Sequence, residues 1–123
     1  MIKRHADSIG HATNGLLWAI STQHNYRIHF LLAFIAVLGG IFFHISYNEW
    51  LTIVVFIITG LVVETFNTSI EKMGDAIDKN YNEDIKISKD VSAGAMLLIA
   101  VGAVVVSSII FIPKILFFLG MGT

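Results

Sequence analysis

The stretch from Val62 to Asp75, VVETFNTSIEKMGD, carries Glu64, Asn67, Glu71 and Asp75 out of an apolar run that starts at Trp50. A helix turns roughly 100° per residue, so these side chains share an arc of about 80°. An ionisable residue at membrane depth is expensive and by default marks a functional site. Three kinds of chemistry suit such a stripe at a lipid–water boundary: binding a cation, relaying a proton, and acid–base work on a lipid headgroup. Glu64 is the deepest carboxylate, and one held from water beside the interface suits a general base toward a lipid hydroxyl. Glu71, with Asn67 between it and Glu64, is better placed as an oxygen ligand for Mg²⁺. That ion takes one or two carboxylates and completes its shell with phosphates and water. The plainer reading is that these groups neutralise nearby lysines. Lys72, Lys86 and Lys89 offer that to Glu71, Asp75 and Asp78, but no basic residue lies between 50 and 63 to offer it to Glu64.

The remaining chain must hold this stripe at the boundary. Residues 1–27 form an expected surface helix, in which Ile2, Ile9, Ala12, Leu16 and Ile20 recur at helical spacing opposite Lys3, Asp7 and Asn14. Trp18 suits headgroup depth, so this helix is expected to lie in the interface. Apolar segments over 28–46, 49–78 and 89–113 are expected to span, with a polar connector over 79–88. The run from Phe30 to Ile45 is slightly short of a ~30 Å hydrocarbon core unless flanking residues extend it. Pro113 is expected to end or kink the third span. The fold class is therefore an all-α membrane protein, an amphipathic interfacial helix followed by three transmembrane helices.

Basic residues set the expected orientation. Lys3, Arg4 and Arg27 precede the first span, and Lys72, Lys79, Lys86 and Lys89 lie around the second connector. The first connector has none, and only Lys114 lies beyond the third span. The positive-inside rule places the N-terminus and residues 75–88 in the cytoplasm, so the stripe opens there.

Composition narrows the function. The 123 residues are 55% hydrophobic and 14% charged, against about 25% charged in soluble domains. A net charge of −1 and the lack of a basic, aromatic-studded patch exclude a nucleic-acid binder. Cysteine is absent, which removes thiolate and Cys-metal chemistry. The histidines at 5, 11, 24, 29 and 44 have no ligand-cluster spacing and read as interfacial side chains. Neither G-x-x-x-x-G-K-[ST] nor G-x-G-x-x-G occurs, so a nucleotide site would be built from helix ends, carboxylates and lysines.

Glu64-x-x-Asn67-x-x-Ile70-Glu71-x-x-x-Asp75, followed by Lys89-Asp90-x-x-Ala93-Gly94-Ala95, resembles the signature of the prokaryotic integral-membrane diacylglycerol kinases and undecaprenol kinases. Asn25-Tyr26-Arg27-Ile28-His29 resembles the approach to the first span in the undecaprenol-kinase branch. The resemblance covers the whole chain. It implies a lipid kinase of the bacterial cytoplasmic (inner) membrane that assembles as a homotrimer with sites between subunits. It further implies that ATP phosphorylates a lipid alcohol with Mg²⁺, undecaprenol being favoured over diacylglycerol. By the resemblance, Glu64 is the base and substrate contact, and Glu71 a metal and nucleotide ligand. Lys89, Asp90, Tyr81 and Asn82 are its nucleotide contacts. Asn67, Arg27 and Ala93 are placed around the acceptor. Gln23 departs from the pattern, since it stands where the family has a glutamate sharing the metal. An amide oxygen there removes one negative charge from the metal and ATP site, so metal affinity is expected to fall at Gln23 unless Asp7, Asp75 or water compensates. Two other readings stay open on the residues alone: a cation-coupled transport subunit using Glu64 as a relay, and an inactive structural relative of the kinases.

Overall fold

The computed structural model describes residues 2–121, the side chains of residues 2–4 excepted. Lys3 and Arg4, which entered the orientation argument, thus lie outside the described side chains. Among the described residues the regular structure is helical: α1 (Ile2–Thr22), α2 (His24–Phe42), α3 (Tyr47–Ile77) and α4 (Glu83–Phe118). α2 packs on α3 and α3 on α4, while α1 meets both α2 and α3 near its C-terminal end at Ala19.

α1 and α2 are separated by a single residue. Gln23 donates its N–H to Ala19, finishing α1, and its extended backbone (φ −94°, ψ 125°) starts α2 without a side-chain cap. Asn25, Tyr26, Arg27 and His29 therefore belong to the same helix as the first apolar run. The turn between α2 and α3 is tight. Ile45 N–H reaches Gly40 O at 3.1 Å, and His44 takes the left-handed region (φ 47°), which histidine enters more readily than most residues. Ser46 then opens α3 with a capping box: its hydroxyl accepts from Glu49 N–H, and the Glu49 carboxylate accepts from Ser46 N–H at 2.6 Å.

At about 1.5 Å per residue, the 31 residues of α3 and the 36 of α4 exceed the ~30 Å hydrocarbon core. Their polar ends therefore project past it. α4 begins at Glu83, so its first turns take in residues 83–88 that the sequence reading placed in the connector. Asn82 caps it by accepting from Asp84 and Ile85 N–H at 3.0 and 3.2 Å, and Glu83 and Asp84 favour the positive end of the helix dipole. Its other end does not stop at Pro113 but runs to Phe118. Membrane helices tolerate proline because the freed carbonyl finds other partners.

Three helices, α2, α3 and α4, are long and apolar enough to cross a membrane. Their outer faces are bare: Leu97, Leu98 and Ile109 are 66, 76 and 69% exposed. Apolar surface on that scale fits lipid and not water; this is a membrane protein. The apolar packing centre gathers Ile45, Ile53 and Ile110, with Trp50, Phe43 and Phe111 against them. It lies at the end of the α3–α4 pair that carries the tight turn.

Candidate active site

The acidic stripe of α3 occupies the opposite end, and the structure turns it inward. Glu64 is 1% exposed, and Asn67 and Thr68 are buried with it. Two α2 residues one turn apart meet the Glu64 carboxylate. Asn25 Nδ2 donates to Oε2 at 3.5 Å, and His29 Nε2 lies 3.8 Å from the same oxygen. At the next residue of α3, the Thr65 hydroxyl donates to Leu61 O at 2.7 Å, so the Tyr26 hydroxyl donates to it at 2.6 Å. Tyr26 is 1% exposed. These bonds tie the start of α2 to the middle of α3.

On the other flank α4 closes the site. Asn67 Nδ2 donates to Glu71 Oε1 at 3.1 Å, while Asn67 Oδ1 accepts from the Ser92 hydroxyl at 2.7 Å. Ser92 also lies 2.8 Å from Lys89 O. Asn67 thus reads Glu71 with its amine and α4 with its carbonyl, which fixes which way the amide faces. Lys89 pairs with Asp75, the plainer role foreseen for that carboxylate. Gly74 makes the close approach possible: a Cβ there would lie 2.9 Å from Ile85 Cγ2 and 3.0 Å from Lys89 Cε. No buried side-chain nitrogen or oxygen among the described residues lacks a hydrogen-bond partner.

Asn67 joins Glu71 and, through the Ser92 hydroxyl, the Lys89 carbonyl in one cluster, with Glu64 one turn earlier on α3 and held from α2. Other candidates stand apart from it within this chain. Tyr81 is 80% exposed, and the Asn82 side chain is spent on capping α4. Asp90 pairs with Lys86 on the outer face at 2.8 Å, and Arg27 and Ala93 are exposed. Gln23 directs its amide to the neighbouring Thr22 hydroxyl at 3.3 Å. Trp18, expected at headgroup depth, lies over Lys72, whose ammonium is 5.6 Å from its ring centre. Ser92 and Thr65 were not singled out by sequence reasoning, and Tyr26 entered only as part of the Asn25–His29 motif. The four-residue spacing of Asn25 and His29 was the available signal on α2.

Glu71 is half-buried and gives one oxygen to Asn67. Among the described residues no group of three or more His, Asp or Glu side chains is disposed to hold a metal. The donor set fits an ion that brings most of its shell as phosphate and water, as Mg²⁺ does, and not one needing an all-protein cage.

The family described as prokaryotic diacylglycerol kinase matches residues 10–111. A diacylglycerol kinase of Synechocystis sp. is 32% identical over 113 residues, covering 89% of this chain and 63% of that protein. This chain thus spans less than two thirds of the Synechocystis relative's length. An undecaprenol kinase of Bacillus subtilis is 30% identical over 114 residues, covering 93% of each chain. A helical membrane protein with a carboxylate cluster between its helices defines the class. The chain belongs to the prokaryotic diacylglycerol kinase family, a family of lipid kinases.

Proposed function

We propose that this lipid kinase transfers the γ-phosphate of ATP to the hydroxyl of a membrane lipid alcohol at the cytoplasmic face of the bacterial inner membrane. Glu64 takes the hydroxyl proton as the lipid oxygen bonds to γ-phosphorus and the bond to the ADP oxygen breaks. The observation that carries the reading is the carboxylate itself: 1% exposed in an apolar helix, held by amide and imidazole and not cancelled by a lysine. A proton acceptor must lie within reach of the hydroxyl and keep a fixed orientation.

Phosphoryl transfer is chiefly positioning and charge neutralisation. Glu71, with the Gln23 amide oxygen, would hold Mg²⁺, which would supply charge to neutralise the phosphate oxygens. Lys89 and Asp90, with Tyr81 and Asn82 from the 78–82 connector, contact the nucleotide. Asn67, Arg27 and Ala93 shape the acceptor's surroundings. Tyr81, Arg27, Asp90 and Ala93 are exposed in the single chain, in keeping with a homotrimer whose sites form between subunits. α1 lies in the interface, with the N-terminus cytoplasmic.

Undecaprenol is the preferred acceptor over diacylglycerol. The end-to-end likeness to the Bacillus undecaprenol kinase supports this, as does the Asn25-Tyr26-Arg27-Ile28-His29 approach to the first span. The test is lipid phosphate formed from Mg–ATP with undecaprenol and, separately, diacylglycerol, using the purified protein in mild detergent. Undecaprenyl phosphate should dominate, and Glu64→Gln should reduce it by about 10²–10⁴-fold with the fold intact. Undiminished product from Glu64→Gln removes Glu64 as the base; ion flux without ATP in proteoliposomes favours transport instead.

A further inference from the structure

We infer that His29 is a positioning residue for the base: with Asn25 it fixes the Glu64 carboxylate, and it does so from the head of an apolar groove. The inference rests on Glu64 being the proton acceptor. Asn25 and His29 are four residues apart on α2 and so share one face. Both approach the same carboxylate oxygen, Oε2, at 3.5 and 3.8 Å. A carboxylate gripped at one oxygen has its plane defined and presents the other oxygen in a set direction. Nucleophile-activating bases are ordinarily held this way, by a third group that fixes the base and touches no substrate.

The Nε2 to Oε2 separation of 3.8 Å is longer than a hydrogen bond. Such contacts are often long in unliganded sites and tighten when substrate closes them. The imidazole has room to close. Beneath it lies Gly60, one turn before Glu64, and a Cβ there would stand 3.5 Å from His29 Nδ1. His29 also lines one end of a groove of about 660 Å³, with Phe30, Ala36, Gly60, Ala100 and Ala103 among its walls. The groove runs between α2 and α4 over α3. His29 is the titratable side chain among its lining residues, and the others are mostly apolar. One edge of the ring thus faces hydrocarbon and the other faces the base. That placement lets His29 hold the carboxylate without exposing it to water; its side chain is 23% exposed against 2% for Glu64.

His29→Phe and His29→Gln separate positioning from packing. Phenylalanine keeps a ring over Gly60 but has no N–H, whereas glutamine keeps an amide N–H. Steady-state kinetics with undecaprenol and Mg–ATP should show kcat of His29→Phe falling about ten- to a hundred-fold. Both KM values should stay within about two-fold, since an interaction acting on the transition state lowers kcat alone. His29→Gln should recover most of the lost kcat, and both variants should melt with the wild type. If His29→Phe fails to fold, Asn25→Leu replaces it, with the same kcat-selective loss expected. Wild-type kcat in His29→Phe overturns the inference, as does a rise in lipid KM at unchanged kcat, which would assign His29 to the groove alone. A loss that His29→Gln does not repair overturns it too. In each case Glu64→Gln remains inactive and the Glu64 reading stands. Full activity in Glu64→Gln overturns both.

Discussion

At one end of the α3–α4 pair, Ile53 and Ile110 bury themselves with Ile45 against Trp50 and Phe111; at the other, the same helices bury Glu64, Asn67, Thr68 and Ser92. Each end brings backbones close with a glycine. Gly40 lies under Trp50 and Ile45, and Gly74 under Ile85 and Lys89. Each end also carries an ion pair between α3 and α4: Glu49 with Lys114 at 2.9 Å, and Asp75 with Lys89. The difference lies in what fills the space. In a bilayer, burying apolar side chains between helices gains little over lipid contact, so the isoleucine end is held by shape. The carboxylate end is held by hydrogen bonds whose loss leaves polar groups without water to replace them. The first arrangement serves only the fold. The second keeps in place the polar groups to which the proposed chemistry is assigned.

The comparison can be broken most directly at Glu64. Glu64→Gln is the substitution with the largest expected effect on phosphate transfer, and it should hardly move the melting temperature. Asn67→Leu comes next: it leaves Ser92 and Glu71 short of a partner, a penalty of about 1–3 kcal/mol, and activity should fall further than stability accounts for. Thermal unfolding in detergent beside a lipid-phosphate assay separates the two. Gly40→Ala should do the reverse. Its Cβ would stand 2.7 Å from Trp50 Cη2 and 2.9 Å from Ile45 Cδ1, an overpacking that costs about 1–3 kcal/mol. Stability should drop while turnover per folded molecule is kept. Equal loss of activity in Gly40→Ala and Asn67→Leu would erase the distinction between the ends. Lys114→Met should produce the smallest change, since an ion pair at a helix end in contact with water adds little. Its melting curve and its kinetics should both overlay those of the wild type.

The stripe was legible because helical spacing decides a shared face before any packing is known. Glu64, Asn67, Glu71 and Asp75 all turn toward their neighbours as that spacing requires. Three apolar helices were legible from composition for the same reason. The start of α2 was not. Gln23 ends one helix and begins the next without glycine, proline or a side-chain cap, so the sequence carries no break signal there. With the surface helix drawn to residue 27, Asn25 fell outside the first span and His29 stood near its edge; on one continuous α2 both face Glu64. Ser92 was obscure for another reason. Among Ala93, Gly94 and Ala95 it reads as one more small residue permitting close approach, and only a partner across the helix pair gives its hydroxyl a task. The continuation of α4 past Pro113 was equally hidden, because proline's usual effect is overridden in a membrane helix where the freed backbone carbonyl finds other partners.

The turn between α2 and α3 bears on how the protein is made. Its bonds, from Gly39 and Gly40 to the Ser46–Glu49 capping box, are all local in sequence. Local contacts form fast and need nothing that follows them in the chain. A nascent polypeptide therefore has α2 and α3 committed to an antiparallel hairpin before α4 has been synthesised, as N-terminal parts fold first during translation. The bond from Ser92 to Asn67 waits for α4. The site is thus completed only when α4 arrives, and a chain truncated before α4 should insert as a hairpin that carries Glu64 but not the wall that closes around it.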